Sequence, residues 1–362
     1  MLKELLSEKN YLPILTHGDG TPVTRKTWEK RRGELRRLLE TYAYGKTPAV
    51  DVTVRAAGTV RGFYTCAGKC TEERVTLVYT TPNGEGSFPV QIFTPTAVPH
   101  PPVILHIAFG EAPHCYIPVE EIVERGWALA VLDYAAVVND RGHGDFSDGV
   151  AAHFGTTAAR AKDEWGKIGM WAFAASRVLD YLIAARPGLN TERCAVIGHS
   201  RLGKTALWCG ALDPRFFAVI SNNSGYGGAA SSKHGAGERI TDFLKAGSWD
   251  WFCEAFKDYA DREDDKPYDQ SFLLSLIAPR YLLVGSAELD SHADPASEFL
   301  TTLHASPVWE LLGERGLVTP DELPKPGAYL GEGSILYHYR RGTHYLSRED
   351  WAAYLDFLDS KR

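Results

Sequence analysis

Three features of the sequence predict an α/β fold with a doubly wound, mostly parallel sheet. From about residue 100 onward, short runs rich in Val, Ile and Leu alternate with segments of helical periodicity. A glycine-rich turn, Gly198 to Gly203, lies between one such run and one such helix. The composition, 44% hydrophobic and 23% charged over 362 residues, allows a substantial buried core and differs from that of disordered or fibrous chains.

Residues 28–44 place Trp28, Leu35, Leu38, Leu39 and Tyr42 at helical spacing with Arg and Glu between, the pattern of an amphipathic helix. It is expected to belong to a helical N-terminal appendage, residues 1–74, packed on a catalytic domain of residues 75–362. Val75 to Phe93 is rich in Val, Thr, Tyr and Phe and is broken by Pro82-Asn83-Gly84, which reads as strand, turn and strand. Val103 to Ile107 then reads as a strand, Val119 to Glu124 as a short helix and Trp127 to Leu132 as a strand. Between Trp165 and Arg186 the apolar residues Ile168, Trp171, Ala175, Val178 and Leu182 predict a core-facing helix, stopped by Pro187-Gly188. The remaining alternation is strand Cys194–Ile197, helix Lys204–Leu212, strand Phe216–Ile220, helix Phe272–Ile277, strand Tyr281–Val284, helix Ser297–Leu312, strand Leu336–Tyr339 and helix Trp351–Leu358. Residues 224–270, rich in Gly, Ser and Trp, are too long for a plain connection and are expected to form an irregular insertion covering the site.

Lys and Arg number 39 against 46 Asp and Glu, a net charge of -7, and no basic run is long enough to track a phosphate backbone, so nucleic acid is not an expected partner. Runs such as Val103–Ile107 are far short of the ~18 apolar residues of a membrane span, and no membrane partner is expected. Met1 to Asn10 mixes Lys3, Glu4, Glu8 and Lys9 with leucines and lacks the apolar stretch of a secretion signal, which points to the cytoplasm unless a leader has been removed. The six cysteines show no CxxC pair and no late HxxxH, and HExxH is absent, so neither a metal nor another cofactor is expected and the thiols should be free and buried. Cys66 and Cys70 could be bridged across a short loop in an exported protein. Arg-Gly-His143-Gly-Asp reads as a turn, and oligomeric state leaves no mark on the sequence.

Two chemistries fit Cys194 to Thr205. Gly198-x-x-x-x-Gly203-Lys204-Thr205 matches a phosphate-cradling P-loop. Alternatively, Ser200 sits on the sharp strand-to-helix turn of an α/β-hydrolase, although Leu202 stands where a glycine is usual and Gly203 comes one place late. Context favours the second. Several strands precede the turn, and the next strand ends in Ser221-Asn222-Asn223 with no carboxylate for Mg²⁺. The hydrolase order of nucleophile, acid and histidine is met by Ser200, by Asp290 after strand 281–284, and by His344 after strand 336–339. Gly225-Tyr-Gly-Gly-Ala-Ala230 also fits a dinucleotide fingerprint, but no second βαβ unit follows it, and it reads as a loop beside the site.

The string Gly198-His-Ser-Arg-Leu-Gly-Lys204 resembles the Gly-Cys-Ser-Arg-x-Gly-Lys signature of glucuronoyl esterases, carbohydrate esterases that cleave the ester between glucuronic acid on xylan and lignin alcohols. The similarity continues through Ser224 to Ala230, Gly237-Glu238, Trp251-Phe252, Asp269-Gln270, Ala278-Pro-Arg280, Ser286 to Asp290, Ala293-Asp-Pro295, and His344 with Asp350-Trp351, covering roughly residues 75 to 360. The resemblance implies an α/β-hydrolase in which Ser200 is the nucleophile, His344 the base, Arg201 an oxyanion donor, and Lys204 and Glu238 binders of the uronic acid hydroxyls. Two positions depart from it. The usual site of the acid is occupied by Asn223, which points to Asp290, as in some bacterial relatives; His292 stands where a Trp commonly covers the sugar.

The chemistry agrees with these roles. A serine hydroxyl attacks an ester only when an imidazole takes its proton, and that imidazole needs a carboxylate to hold its tautomer. The developing oxyanion would meet the Arg201 backbone N–H and guanidinium. Each residue also has a plainer reading: His344 as a surface-loop histidine, Asp290 as a helix cap with Glu288 and Asp294 as rival acids, Glu238 as a helix cap, Lys204 as a solvated helix-start cation, His292 as a loop residue. The sequence thus predicts a serine esterase acting on a plant cell-wall carbohydrate ester, a glucuronoyl ester first and acetyl or feruloyl esters of xylan next. The loss of an acid at position 223 leaves open a carbohydrate-binding protein without turnover.

Overall fold

The apolar runs that alternate with helices along the chain become neighbours in one sheet. The computed structural model describes residues 1–58, 62–82, 84–155, 160–233 and 235–361. Among the described residues the strands are β1 (Thr53–Ala56), β2 (Gly62–Thr65), β3 (Cys70–Thr81), β4 (Gly84–Pro95), β5 (Pro102–Ala108), β6 (Ala128–Asp133), β7 (Asn190–His199), β8 (Ala218–Asn222), β9 (Tyr281–Ala287), β10 (Ala328–Leu330) and β11 (Ile335–Arg340). Their order is β1-β3-β4-β6-β5-β7-β8-β9-β11-β10, with β2 paired to β3. The six strands from β6 to β11 in that order are parallel, and antiparallel strands flank them on both sides. This is the mixed, mostly parallel sheet of an α/β-hydrolase, and helices on both faces explain why β5 and β6 are apolar at successive positions.

The register aligns the carboxyl ends of the central strands. His199 of β7 lies opposite Asn222 of β8, Asn222 opposite Gly285 of β9, and Gly285 opposite His338 of β11. The connections leaving these strands therefore emerge along one edge, where open α/β sheets bind their ligands.

The helix predicted over 165–186 spans Lys167–Ala185, with Trp171, Ala175, Val178 and Leu182 buried. It is long and apolar enough to cross a membrane, and 67% of that stretch is buried inside the protein, which accounts for its composition. The helix predicted over 297–312 is two, Pro295–Ala305 and Pro307–Leu312, because Pro307 lacks the N–H to continue the first and starts the second instead. The insertion 224–270 is more regular than expected: it holds a helix, Ile240–Ala246, and three 3-10 turns. The strands β1, β2 and β10 and the helix Leu2–Glu8 were not anticipated. Of the turn Pro82-Asn83-Gly84, Asn83 lies outside the described residues.

The helix expected near residue 28 spans Trp28–Tyr42 and buries Leu35 and Leu39, while Arg31 donates to the Pro13 and Ile14 carbonyls. The boundary drawn at 74/75 falls within β3, and β1 and β2 extend the same sheet. All six cysteines are free thiols, Cys66 and Cys70 included; Cys115 is exposed and Cys66 only partly covered, so burial holds for the other four.

Candidate active site

The turn after β7 is set by what its backbone can tolerate. A Cβ on Gly198 would overlap the Leu202 carbonyl, so only glycine fits there. Gly203, the late glycine, lets the helix Arg201–Leu212 press against the end of β8: a Cβ there would stand 3.0 Å from the Ser224 Cβ and 3.1 Å from the Ser221 Oγ. Ser200 sits between them at φ 59°, ψ -128°, a costly conformation for a residue with a side chain, of order 1–3 kcal/mol. It persists because the Ser200 N–H donates to the Asn222 carbonyl at 2.9 Å and its own carbonyl accepts from Gly203 and Lys204. This tight bend, rather than an open phosphate cradle, forms the end of the strand. Lys204 is turned inward, donating to the Ser224 carbonyl at 2.7 Å.

His344 and Asp290 arrive from the connections after β11 and β9. His344 Nδ1 donates to Asp290 Oδ2 at 2.6 Å, which leaves its Nε2 for other work. The same oxygen accepts from the Asn223 side-chain amide at 2.8 Å, so Asn223 is a second donor to the carboxylate that His344 meets. Burial raises the Asp290 carboxyl, but the bonds from His344 and Asn223 outweigh it and hold the group below its ordinary range. Glu288 is exposed, and Asp294 caps the helix Pro295–Ala305, so neither rival acid stands behind His344. One face of His344 packs on His199, ring centroids 4.5 Å apart. Burial and the neighbouring His344 push His199 down to about 3, keeping it neutral.

Ser200, His344, Asp290, Lys204, Glu238 and His292, with Asn223, wall a single cleft of about 280 Å³. Lys204 is buried and lies 3.4 Å from Glu238 Oε2. Glu238 does not cap the following helix, whose N-cap is Arg239. His292 is exposed at the rim, and its carbonyl accepts from the Glu238 N–H at 3.1 Å. The Arg201 side chain instead points to Asp140, with which it forms an ion pair, and packs on Trp251 of the insertion. From the insertion, Gly225 and Glu238 contribute to the cleft.

Sequence reasoning missed Glu298, which is fully buried beneath the site. Its Oε1 accepts from the Ser224 and Gly225 N–H groups, both at 2.9 Å, and its Oε2 from Ser286 at 2.5 Å. Burial pushes it up to about 8. It therefore anchors the start of the glycine-rich loop 224–230. No residue spacing announces this, because a single Glu in an amphipathic helix reads as a solvated charge.

Among the described residues no group of three or more His, Cys, Asp or Glu could hold a metal ion. A family model described as glucuronyl esterase, fungi, matches residues 78–313. A carbohydrate esterase from an unknown prokaryotic organism is 33% identical over 380 residues, covering 94% of this chain and 87% of that one. A 4-O-methyl-glucuronoyl methylesterase of Podospora anserina is 28% identical over 282 residues, or 75% of this chain and 54% of that protein, so this chain spans about half of it. The glucuronoyl esterase structure from Solibacter usitatus superposes with a TM-score of 0.86 at 33% identity, covering 97% of this chain and 98% of that one.

Proposed function

The chain belongs to the glucuronoyl esterase family, and from that premise we propose that it hydrolyses 4-O-methyl-glucuronoyl esters through an acyl-enzyme on Ser200. The observation that carries the site assignment is the 2.6 Å bond from His344 Nδ1 to Asp290, in a cleft that Ser200 also lines.

With Nδ1–H committed to Asp290, His344 Nε2 is the base that takes the Ser200 hydroxyl proton as Oγ attacks the ester carbonyl. Asp290, ionised at neutral pH, stabilises the imidazolium that forms. Negative charge on the carbonyl oxygen is met at the start of the helix Arg201–Leu212, by the Arg201 backbone N–H and guanidinium. His344 then returns its proton to the leaving alcohol, and the bond from the carbonyl carbon to that alcohol breaks. Water, deprotonated by the same imidazole, attacks the acyl-enzyme and releases the uronic acid and free Ser200. Lys204 and Glu238, charged and in the same cleft, suit the hydroxyls of a sugar acid, which places the acyl side of the substrate against them.

The test is Ser200→Ala assayed against methyl 4-O-methylglucuronate by release of the acid. A loss of at least ~10⁴-fold in kcat is expected. Unchanged turnover rejects Ser200 as the nucleophile.

A further inference from the structure

We infer that Asp140 is a positioning residue that clamps the Arg201 guanidinium so that its Nε–H is left free for the oxyanion. This rests on the reading of Ser200 as nucleophile, since Arg201 is the next residue in the chain.

Asp140 lies in the loop that follows β6, well away from Ser200 in sequence, and its side chain is only 8% exposed. Its carboxylate is fully engaged. Oδ2 accepts from Arg201 Nη1 and from the Tyr134 hydroxyl, the latter at 3.1 Å, and Oδ1 accepts from the Trp251 indole N–H at 2.7 Å. Three donors from three separate segments fix its position, and through it one corner of the guanidinium. Trp251 contributes twice, because its ring also lies against the Arg201 guanidinium at 4.4 Å, with Phe109 at 5.6 Å.

A guanidinium is planar and rigid, so fixing one amino group and packing aromatic rings around it determines where the remaining N–H groups point. In that pose Arg201 Nε is buried and has no hydrogen-bond partner among the described residues. A buried donor without an acceptor is costly and is seldom left so without reason. Arg201 follows Ser200 directly in the chain, and with Ser200 as the nucleophile the acceptor assigned to this donor is the charge that develops on the ester oxygen. Asp140 touches no reacting atom; it acts through Arg201. Held this way, the donor needs no reorganisation as the oxyanion forms.

The test is a double-mutant cycle on the full chain with methyl 4-O-methylglucuronate, reading kcat and KM separately. Asp140→Asn keeps the shape but weakens the hold on Arg201, and kcat should fall about tenfold with KM within about twofold. Arg201→Ala should cost about a hundredfold. In the Arg201→Ala background, Asp140→Asn should cost nothing further in kcat. Trp251→Phe keeps a ring over the guanidinium and removes only the N–H to Asp140, so a loss of about threefold, also absent without Arg201, gives a second reading if Asp140→Asn folds poorly. Equal losses from Asp140→Asn with and without Arg201, or no loss in the wild-type background, overturn the clamp while leaving the esterase reading intact. A wild-type chain that fails to cleave the ester rejects both.

Discussion

Replacing Asp290 by Asn tests the acid assignment most directly. In the wild type, Asp290 Oδ2 receives two donors, His344 Nδ1 at 2.6 Å and Asn223 Nδ2 at 2.8 Å. An asparagine can keep both bonds if its amide oxygen occupies that position. The tautomer of His344 is then preserved, and what is lost is the attraction between the carboxylate and the imidazolium. Two unit charges about 4 Å apart at an effective dielectric of about 20 attract by about 4 kcal/mol. The His344 side chain is 44% exposed, and solvent screening leaves roughly half of that, ~2 kcal/mol, or about 30-fold in rate. If the amide turns the other way, its NH₂ faces two donors and His344 takes the wrong tautomer, for which ~10⁴-fold is the expected loss. Asp290→Asn should therefore lower kcat on methyl 4-O-methylglucuronate by between about 30-fold and ~10⁴-fold at pH 7. Glu288→Gln, at an exposed position, should stay within about twofold of wild type. A loss under about tenfold for Asp290→Asn, or an equal loss for Glu288→Gln, refutes the assignment.

Other outcomes follow from the same geometry. Glu298 titrates near 8 in the folded protein, against about 4.5 when unfolded. The native state therefore keeps a proton that the unfolded chain releases, and stability conferred by this group is full below about pH 4.5 and is lost as pH rises toward 8. Urea unfolding of Glu298→Gln should show a stability profile flatter than wild type by about 1–3 kcal/mol between pH 5 and 8, and parallel profiles would contradict a protonated native Glu298. Lys204→Met should raise KM for the uronate ester about 10- to 100-fold, as expected for losing a charged hydrogen bond, while leaving p-nitrophenyl acetate turnover within about threefold; equal losses on both esters would move Lys204 from sugar recognition into the chemistry.

The legibility of this fold followed the length scale of each signal. The central strands and their helices were readable because each is a local run with its own period, and the turn at Ser200 was readable because glycines at 198 and 203 answer steric demands within a few residues. Asp290 and His344 could be placed by chain order, since the connections after β9 and β11 open on the same edge as β7. What stayed hidden depends on contacts between distant segments. Glu298 is buried only because the 224–225 backbone offers it two N–H groups, and Asp140 matters only because Arg201, Tyr134 and Trp251 converge on it. The Ser306-Pro307 break was visible in the sequence but was overridden by the apolar periodicity around it.

The strand order also constrains when activity can first appear during synthesis. On the reading proposed above, Ser200, Asp290 and His344 sit on successive portions of the chain, yet β11, which leads into His344, must slot beside β9 before His344 can reach Asp290. On that reading, a nascent polypeptide that has passed Ser200 but not yet residues 335–344 would display the serine with no imidazole beside Asp290 to ignite it, so an ester in the vicinity is at risk only once that stretch has been added.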